Sequence, residues 1–303
     1  MRKASFTRLA AIAILASSCL FAADPFFLQR SLSDIKPVPD DLTANAKAAS
    51  YKPLFGVGDK DADKLQGVAR YGELTVGPGG ASAIVGYPAE EQIYYILDGS
   101  GTLLYEDQKV QVKKDDFLYL PINVKHGMAN TSGAPVRVIV MGYKIPASRQ
   151  IAPTPKLLLA NAADVARQIL GQHGPTTQFK LLMGTTRSTR DKLAAASEMS
   201  SLFIMDFSPS GTNIPHNHPT EEEIYLVMRG GGDMVAGKTA DGQDARHPAK
   251  EGDAFFFGPG TQVGYYSNAK EGQPPDLILA VRSSLPSSGG GRRGGPGAAA
   301  PKQ

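Results

Sequence analysis

Two imidazoles stand two residues apart in Pro215-His216-Asn217-His218-Pro219, and a carboxylate, Glu223, follows five residues after the second. In an extended strand, side chains two apart share a face, so His216 and His218 project the same way and form a pincer for an ion. Glu223 lies an odd number of residues from both, and joins them only if the chain turns between, which Pro219 and Thr220 permit. Neutral imidazole with carboxylate suits a divalent transition metal, Mn, Fe, Zn or Ni, and two histidines with one carboxylate is the set used by non-haem Fe(II) oxygenases. Three protein ligands leave positions on the ion for water, a bidentate substrate or dioxygen, which a catalytic site needs and a closed structural site lacks. The competing reading is an exposed His-rich turn that binds nothing. With 5 histidines in 303 residues, two of them in this spacing ahead of a strand favour the metal. No further acid or base is evident beside the triad, and Glu221 and Glu222 read as part of a solvated turn.

His-x-His-x4-Glu-x6-Gly, followed by Gly252-Asp253 and Pro259-x-Thr261, resembles the two-part motif of the cupin superfamily, whose fold is a small jelly roll, a double-stranded β-helix. The pattern occurs twice. A slide of 131 residues sets Pro78 on Pro209, Pro88 on Pro219, Glu90-Glu91 on Glu221-Glu222, Ile93-Tyr94 on Ile224-Tyr225 and Gly99 on Gly230. After an insertion near Gly237 to Ala245, a slide of 137 sets Asp116 on Asp253. In the first copy Val85, Tyr87 and Gln92 stand where the second has His216, His218 and Glu223, so the first site is degenerate. The resemblance implies a fourth ligand, a histidine, from the second motif. The first copy has His126 there, read as a buried or pocket histidine, and the second has Val263. Tyr225, Phe255, Phe257 and Tyr265 alternate as strand residues; Tyr225, Phe257 and Tyr265 could line a pocket with Val263, or be ordinary barrel core.

Around the motifs, short β-branched and aromatic runs broken by Gly and Pro predict strands, among them Ser82 to Val85, Ile93 to Leu97, Gly101 to Tyr105, Val110 to Val112, Phe117 to Leu120 and Val136 to Met141. The expected fold is all-β: two cupin-like jelly-roll barrels, 66–147 and 177–284, joined by a short helical linker over 148–176. In that linker Leu157 to Leu159, Val165, Ile169 and Leu170 approach helical spacing. Residues 24–65, with a short helix over Asp41 to Ala49, read as an arm packing on a neighbouring domain or subunit, or as a disordered lead-in. The tail 285–303, rich in Gly, Pro and Ala, has nothing to bury.

Arg2, Lys3 and Arg8, the apolar run Leu9 to Leu15 and small residues ending at Ala22-Ala23 describe a signal peptide, 1–23. The mature protein is then periplasmic or secreted, or a lipoprotein anchored through Cys19. Removing the leader's three basic residues from 32 Lys and Arg leaves 29 against 29 Asp and Glu, so charge argues for no nucleic-acid partner, and no transmembrane span is expected in the mature chain. Cys19 is the single cysteine, so a chain without its leader has neither disulfide nor catalytic thiol. The resemblance implies a small organic ligand, and either an enzyme (dioxygenases, decarboxylases and isomerases occur with such sites), a binding protein without turnover, or barrels used structurally in a homo-oligomer.

Overall fold

The computed structural model describes residues 26–152, 154–171 and 173–285. The expected signal peptide and almost all of the tail lie outside the described residues. Among the described residues no helix is long and apolar enough to cross a membrane.

Alternation at period two builds nearly everything. The first half of the chain forms β1 (Phe27–Ser31), β2 (Lys47–Gly56), β3 (Val68–Ala81), β4 (Glu90–Asp98), β5 (Ser100–Tyr105), β6 (Gln108–Lys113), β7 (Asp116–Leu120), β8 (His126–Ala129) and β9 (Val136–Lys144). The second forms β10 (Leu158–Asn161), β11 (Thr177–Thr185), β12 (Leu193–Ala196), β13 (Met199–Phe207), β14 (Thr212–Asn217), β15 (Glu221–Arg229), β16 (Gly231–Lys238), β17 (Asp244–Lys250), β18 (Asp253–Phe257), β19 (Gln262–Ser267) and β20 (Asp276–Ser284). In the second barrel a seven-stranded sheet, β1-β18-β15-β20-β13-β11-β12, faces a four-stranded one, β14-β19-β16-β17. In the first, β3 is long enough to belong to both walls, pairing with β9 and, at Ala81, with Ala129 of β8, so that the two walls run on as one curved sheet. Gly99 and Gly230 end the matching strands β4 and β15 with φ of 77° and 86°, a conformation side chains with a Cβ disfavour.

The repeat also exchanges strands. β1 precedes the first barrel yet pairs with β18 of the second, and β10 precedes the second yet pairs with β7 of the first. Phe27 and Leu158, the first residues of these two strands, stand at the same slide of 131 residues as the barrels. The arm and the connection are therefore two copies of one element, each closing the other barrel's sheet edge. This corrects the helical linker: its apolar residues serve a strand and a following 3-10 turn, Ala162–Asp164, with Leu157 and Leu159 packed on the first barrel's interior, Val165 on the core between barrels and Leu170 on the second interior. Helical spacing appears there because three cores draw on one segment. The expected helix at Asp41 is likewise one 3-10 turn, Asp41–Thr43, before β2 begins at Lys47, and Ser82 to Val85 contribute only a single bridge, Val85 to His126.

Both faces of the central strands are covered, which is why β4 and β15 read as near-continuous apolar runs. On β15, Tyr225 and Val227 point into the second barrel, while Ile224 and Leu226 point out into a core shared with the first barrel's Ile93, Tyr95, Ile139 and Met141. The same alternation sends Glu223 inward and Glu222 outward.

Candidate metal centre

His216 ends β14, His218 follows it, and the chain returns through Pro219-Thr220 into β15, which carries Glu223. The turn sets the odd-numbered carboxylate on the histidines' side. One ligand atom from each of the three residues lies within 4.8 Å of the others. His216 Nε2 is 3.1 Å from His218 Nε2, and Glu223 Oε2 is 3.5 Å from His218 Nε2. One far ring nitrogen is firmly engaged: His216 Nδ1 donates to the Ile214 carbonyl at 2.8 Å, while His218 Nδ1 lies 3.5 Å from Arg282 Nη1 and 3.6 Å from Glu221 Oε2. For His216 the outer contact fixes which nitrogen faces an ion.

The electrostatics fit a cation. Among the described residues Glu223 Oε2 is buried with no hydrogen-bond partner, a costly state for a carboxylate oxygen unless an ion or proton satisfies it. Burial pushes the Glu223 carboxyl up to about 8, partly opposed by the Arg282 guanidinium. Burial also holds both imidazoles low, His218 at about 3 with Arg282 adding to the effect, so both are neutral ligands near pH 7. A recess of about 20 Å³ adjoins the triad, bordered by His173, Arg190, Phe203, Tyr225 and Arg282 among others.

Three neighbours were not foreseen. Arg282 reaches from β20, its Nε 3.9 Å from Glu223 Oε1 and otherwise unpartnered, and its Nη1 3.4 Å from Glu221 Oε2. Asn213 donates to the Tyr225 hydroxyl at 3.1 Å, and Tyr225, two positions along β15 on the same face as Glu223, opposes the rise that burial causes there. His173 comes from the connection between β10 and β11, its Nδ1 2.7 Å from Asn213 Oδ1. No motif spacing marks any of the three, because strand pairing and the path of the connection bring them to the site. Of the expected pocket residues, Tyr225 alone borders the recess. Phe257, Tyr265 and Val263 pack in the barrel core, with the Tyr265 hydroxyl on Asp276 at 3.0 Å. Val263 is nonetheless the direct ladder partner of His216, and opposed residues share a face. Glu221 and Glu222 correct the solvated-turn reading: Glu222 is 1% exposed and points away from the triad, while Glu221 backs His218 and Arg282.

In the first barrel Val85, Tyr87, Gln92 and His126 do converge, and among the described residues no group of three metal-ligating side chains forms there. His126 Nδ1 lies 2.9 Å from the Val124 carbonyl and Nε2 lies 3.0 Å from Gln92 Oε1, so an acceptor oxygen faces each nitrogen. Burial lowers His126 to about 4. Arg70 fills the space, 4.5 Å over the Tyr87 ring and 2.8 Å from Glu90 and from Asp41. Arg70 faces Gly142 in the ladder, whereas in the second barrel Ser201 faces Arg282. Each barrel thus brings one guanidinium to the same place from opposite members of a strand pair.

Two family models match the chain, one described as a cupin domain over residues 72–142 and one as cupin over 182–288. Germin-like protein subfamily 2 member 4 of Arabidopsis thaliana is 32% identical over 102 residues, 33% of this chain and 46% of that protein. The matched stretches span about half the length of the curated relatives, 57% and 46% for the first two. Among solved structures, the putative glyoxylate induced protein from Pseudomonas aeruginosa superposes with a TM-score of 0.64 at 13% identity, over 92% of this chain and 93% of that one. A Bacillus subtilis oxalate decarboxylase described with Mn(II) centres gives 0.61 at 12%, over 86% and 78%. At these identities the structural likenesses speak for the fold.

Proposed function

Because the chain belongs to the cupin superfamily, with one such barrel in each repeat, we propose that its second barrel holds a divalent transition ion on His216, His218 and Glu223 and acts on a small organic carboxylate. The unpartnered, buried Glu223 oxygen beside two neutral imidazoles carries the reading. A bound ion supplies Lewis acidity and sites for exchangeable ligands. Arg282, with a buried and unpartnered Nε–H aimed at the triad, supplies the donor for an anionic group, and Arg190 adds positive charge at the rim. Relatives described as an oxalate decarboxylase with Mn(II) centres support manganese and a small acid, with dioxygenase or decarboxylase chemistry as the reaction class. A second reading, ion or ligand binding without turnover, is favoured by the size of the recess, about 20 Å³, which admits about one water.

Metal analysis of protein purified without chelator, followed by carbon dioxide release and oxygen uptake over small mono- and diacids, catechols and flavonols, tests both. One ion per chain with turnover supports the enzyme; one ion without turnover supports the binding protein. Less than a tenth of an ion per chain after incubation with Mn, Fe, Zn and Ni overturns the metal site itself. We also propose export, on the leader read above. Intact mass of the exported protein should begin at Ala23 or Asp24, and a diacylglyceryl mass on Cys19 would show the lipoprotein route.

A further inference from the structure

We propose that His173, carried by the connection between the two barrels, is the fourth imidazole of the metal centre, in place of the one that Val263 does not supply. The inference rests on the metal reading above. Four observations carry it. His173 borders the same recess as the triad, and its ring stands edge-on to His216 with centroids 5.0 Å apart, much as His216 and His218 stand at 4.9 Å. Its Nδ1 lies 2.7 Å from Asn213 Oδ1, and Asn213 uses its Nδ2 to donate to Tyr225. The amide oxygen therefore accepts, His173 Nδ1 carries the proton, and Nε2 is left as a bare lone pair. That is the tautomer His216 adopts through the Ile214 carbonyl.

The third observation is that Asn213 joins His173 to Tyr225, which stands on β15 two residues from Glu223, the carboxylate of the triad. One amide thus ties the fourth imidazole to the strand that carries the carboxylate. The fourth comes from the other repeat. There the matching segment, between β1 and β2, packs Leu42 into the first barrel as Leu170 packs into the second, and it delivers Asp40 and Asp41 to Arg70 beside the degenerate site. In both halves this segment brings a polar side chain to the barrel's site. In the first it balances a guanidinium, and in the second it supplies a nitrogen donor.

His173 lies outside the compact group formed by the other three, so loading must draw its ring inward. The connection allows this: around His173 it is held by a Gln168 to Phe179 bridge and a turn bond from His173 N to the Leu170 carbonyl, not by a ladder.

The test uses the full-length protein with Mn(II) as probe. Pulsed electron paramagnetic resonance should count three imidazole nitrogens on the ion in the wild type and two in His173→Ala. Chelator competition should show the affinity of His173→Ala reduced about 10- to 100-fold. Adding Val263→His to His173→Ala should return the count to three and recover most of the affinity, which repair of a merely structural defect would not do. Two imidazoles in the wild type overturn the inference without needing any variant to fold, as does unchanged affinity in His173→Ala, and both leave the metal site standing. Failure of the wild type to bind Mn(II), Fe(II), Zn(II) or Ni(II) removes the metal reading and this inference together.

Discussion

His216 aims Nε2 at the site because its Nδ1 is committed to the Ile214 carbonyl, His218 Nε2 stands 3.1 Å from it, and Glu223 meets them because Pro219-Thr220 reverses the chain. His126 is more deeply buried, 1% exposed, and has an oxygen facing each nitrogen. Replacing both His216 and His218 with alanine should therefore abolish stoichiometric metal, whereas His126→Ala should leave it; loss of metal in His126→Ala would show that the first barrel is a site after all. The same residues set a pH dependence. Ion binding needs Glu223 ionised and both imidazoles neutral. Burial has already neutralised the imidazoles in the neutral range, but raises Glu223 from its ordinary 4.5 to about 8. Loading below that value releases a proton, so apparent affinity should climb about tenfold per pH unit and level off near pH 8. For the metal-free protein the sign reverses. A carboxyl whose folded value is raised contributes stability fully below 4.5 and loses it as pH rises to 8. Chelator competition at several pH values checks the first slope, and a flat profile would mean that Glu223 is not a ligand.

At the scale of elements, the alternation that turns Glu223 inward turns Glu222 outward, where its carboxylate accepts from the backbone N–H groups of Gln66, Gly67 and Val68 at 2.6, 2.8 and 3.0 Å. Glu91, its counterpart at the slide of 131, accepts from Ser197, Glu198 and Met199 and from the Tyr119 hydroxyl. The two bonded segments, 66–68 and 197–199, are themselves related by the same slide. Each barrel thus grips the start of the other's main strand. A buried donor left unpaired costs on the order of 1–3 kcal/mol, so Glu222→Ala and Glu91→Ala should each destabilise the protein by about 3 kcal/mol or more in denaturant unfolding. A cost below about 1 kcal/mol would show that water replaces the clasp. In the sequence Glu221 and Glu222 look like a solvated turn ahead of Glu223, because period-two direction is visible only once the strand is known. The convergence of His216, His218 and Glu223, the two cupin barrels and most central strands were legible from spacing and repetition. The segment from Leu157 to Leu170 was not, since residues feeding three separate cores imitate a helical stripe. Arg282 and Asn213 were invisible for a related reason: strand pairing, not local spacing, brings them to the site.

The whole molecule is less a pair of barrels on a tether than one body made of two interlocked repeats. The faces that Ile224, Leu226, Phe256 and Leu279 turn away from the second barrel's interior are buried against Tyr71, Ile93 and Tyr95 of the first. Without that cover those aliphatic and aromatic side chains would form a large exposed apolar patch, which a soluble monomer avoids. Removing β1 would also uncover the edge of β18, with Phe255, Phe256 and Phe257 on an unpaired strand. A fragment of residues 177–285 should therefore aggregate, although it contains the triad. Two fragments cut in the stretch between β9 and β10, each keeping its own leading strand, should behave differently. β1 travels with the first barrel and completes the second, and β10 does the reverse, so each fragment carries the edge its partner lacks. Co-expressed with an affinity tag on one alone, the halves should co-purify in equal amounts and bind metal as the intact chain does. Recovery of either half as a soluble monomer would show that the exchanged strands and the shared core do not hold the repeats together.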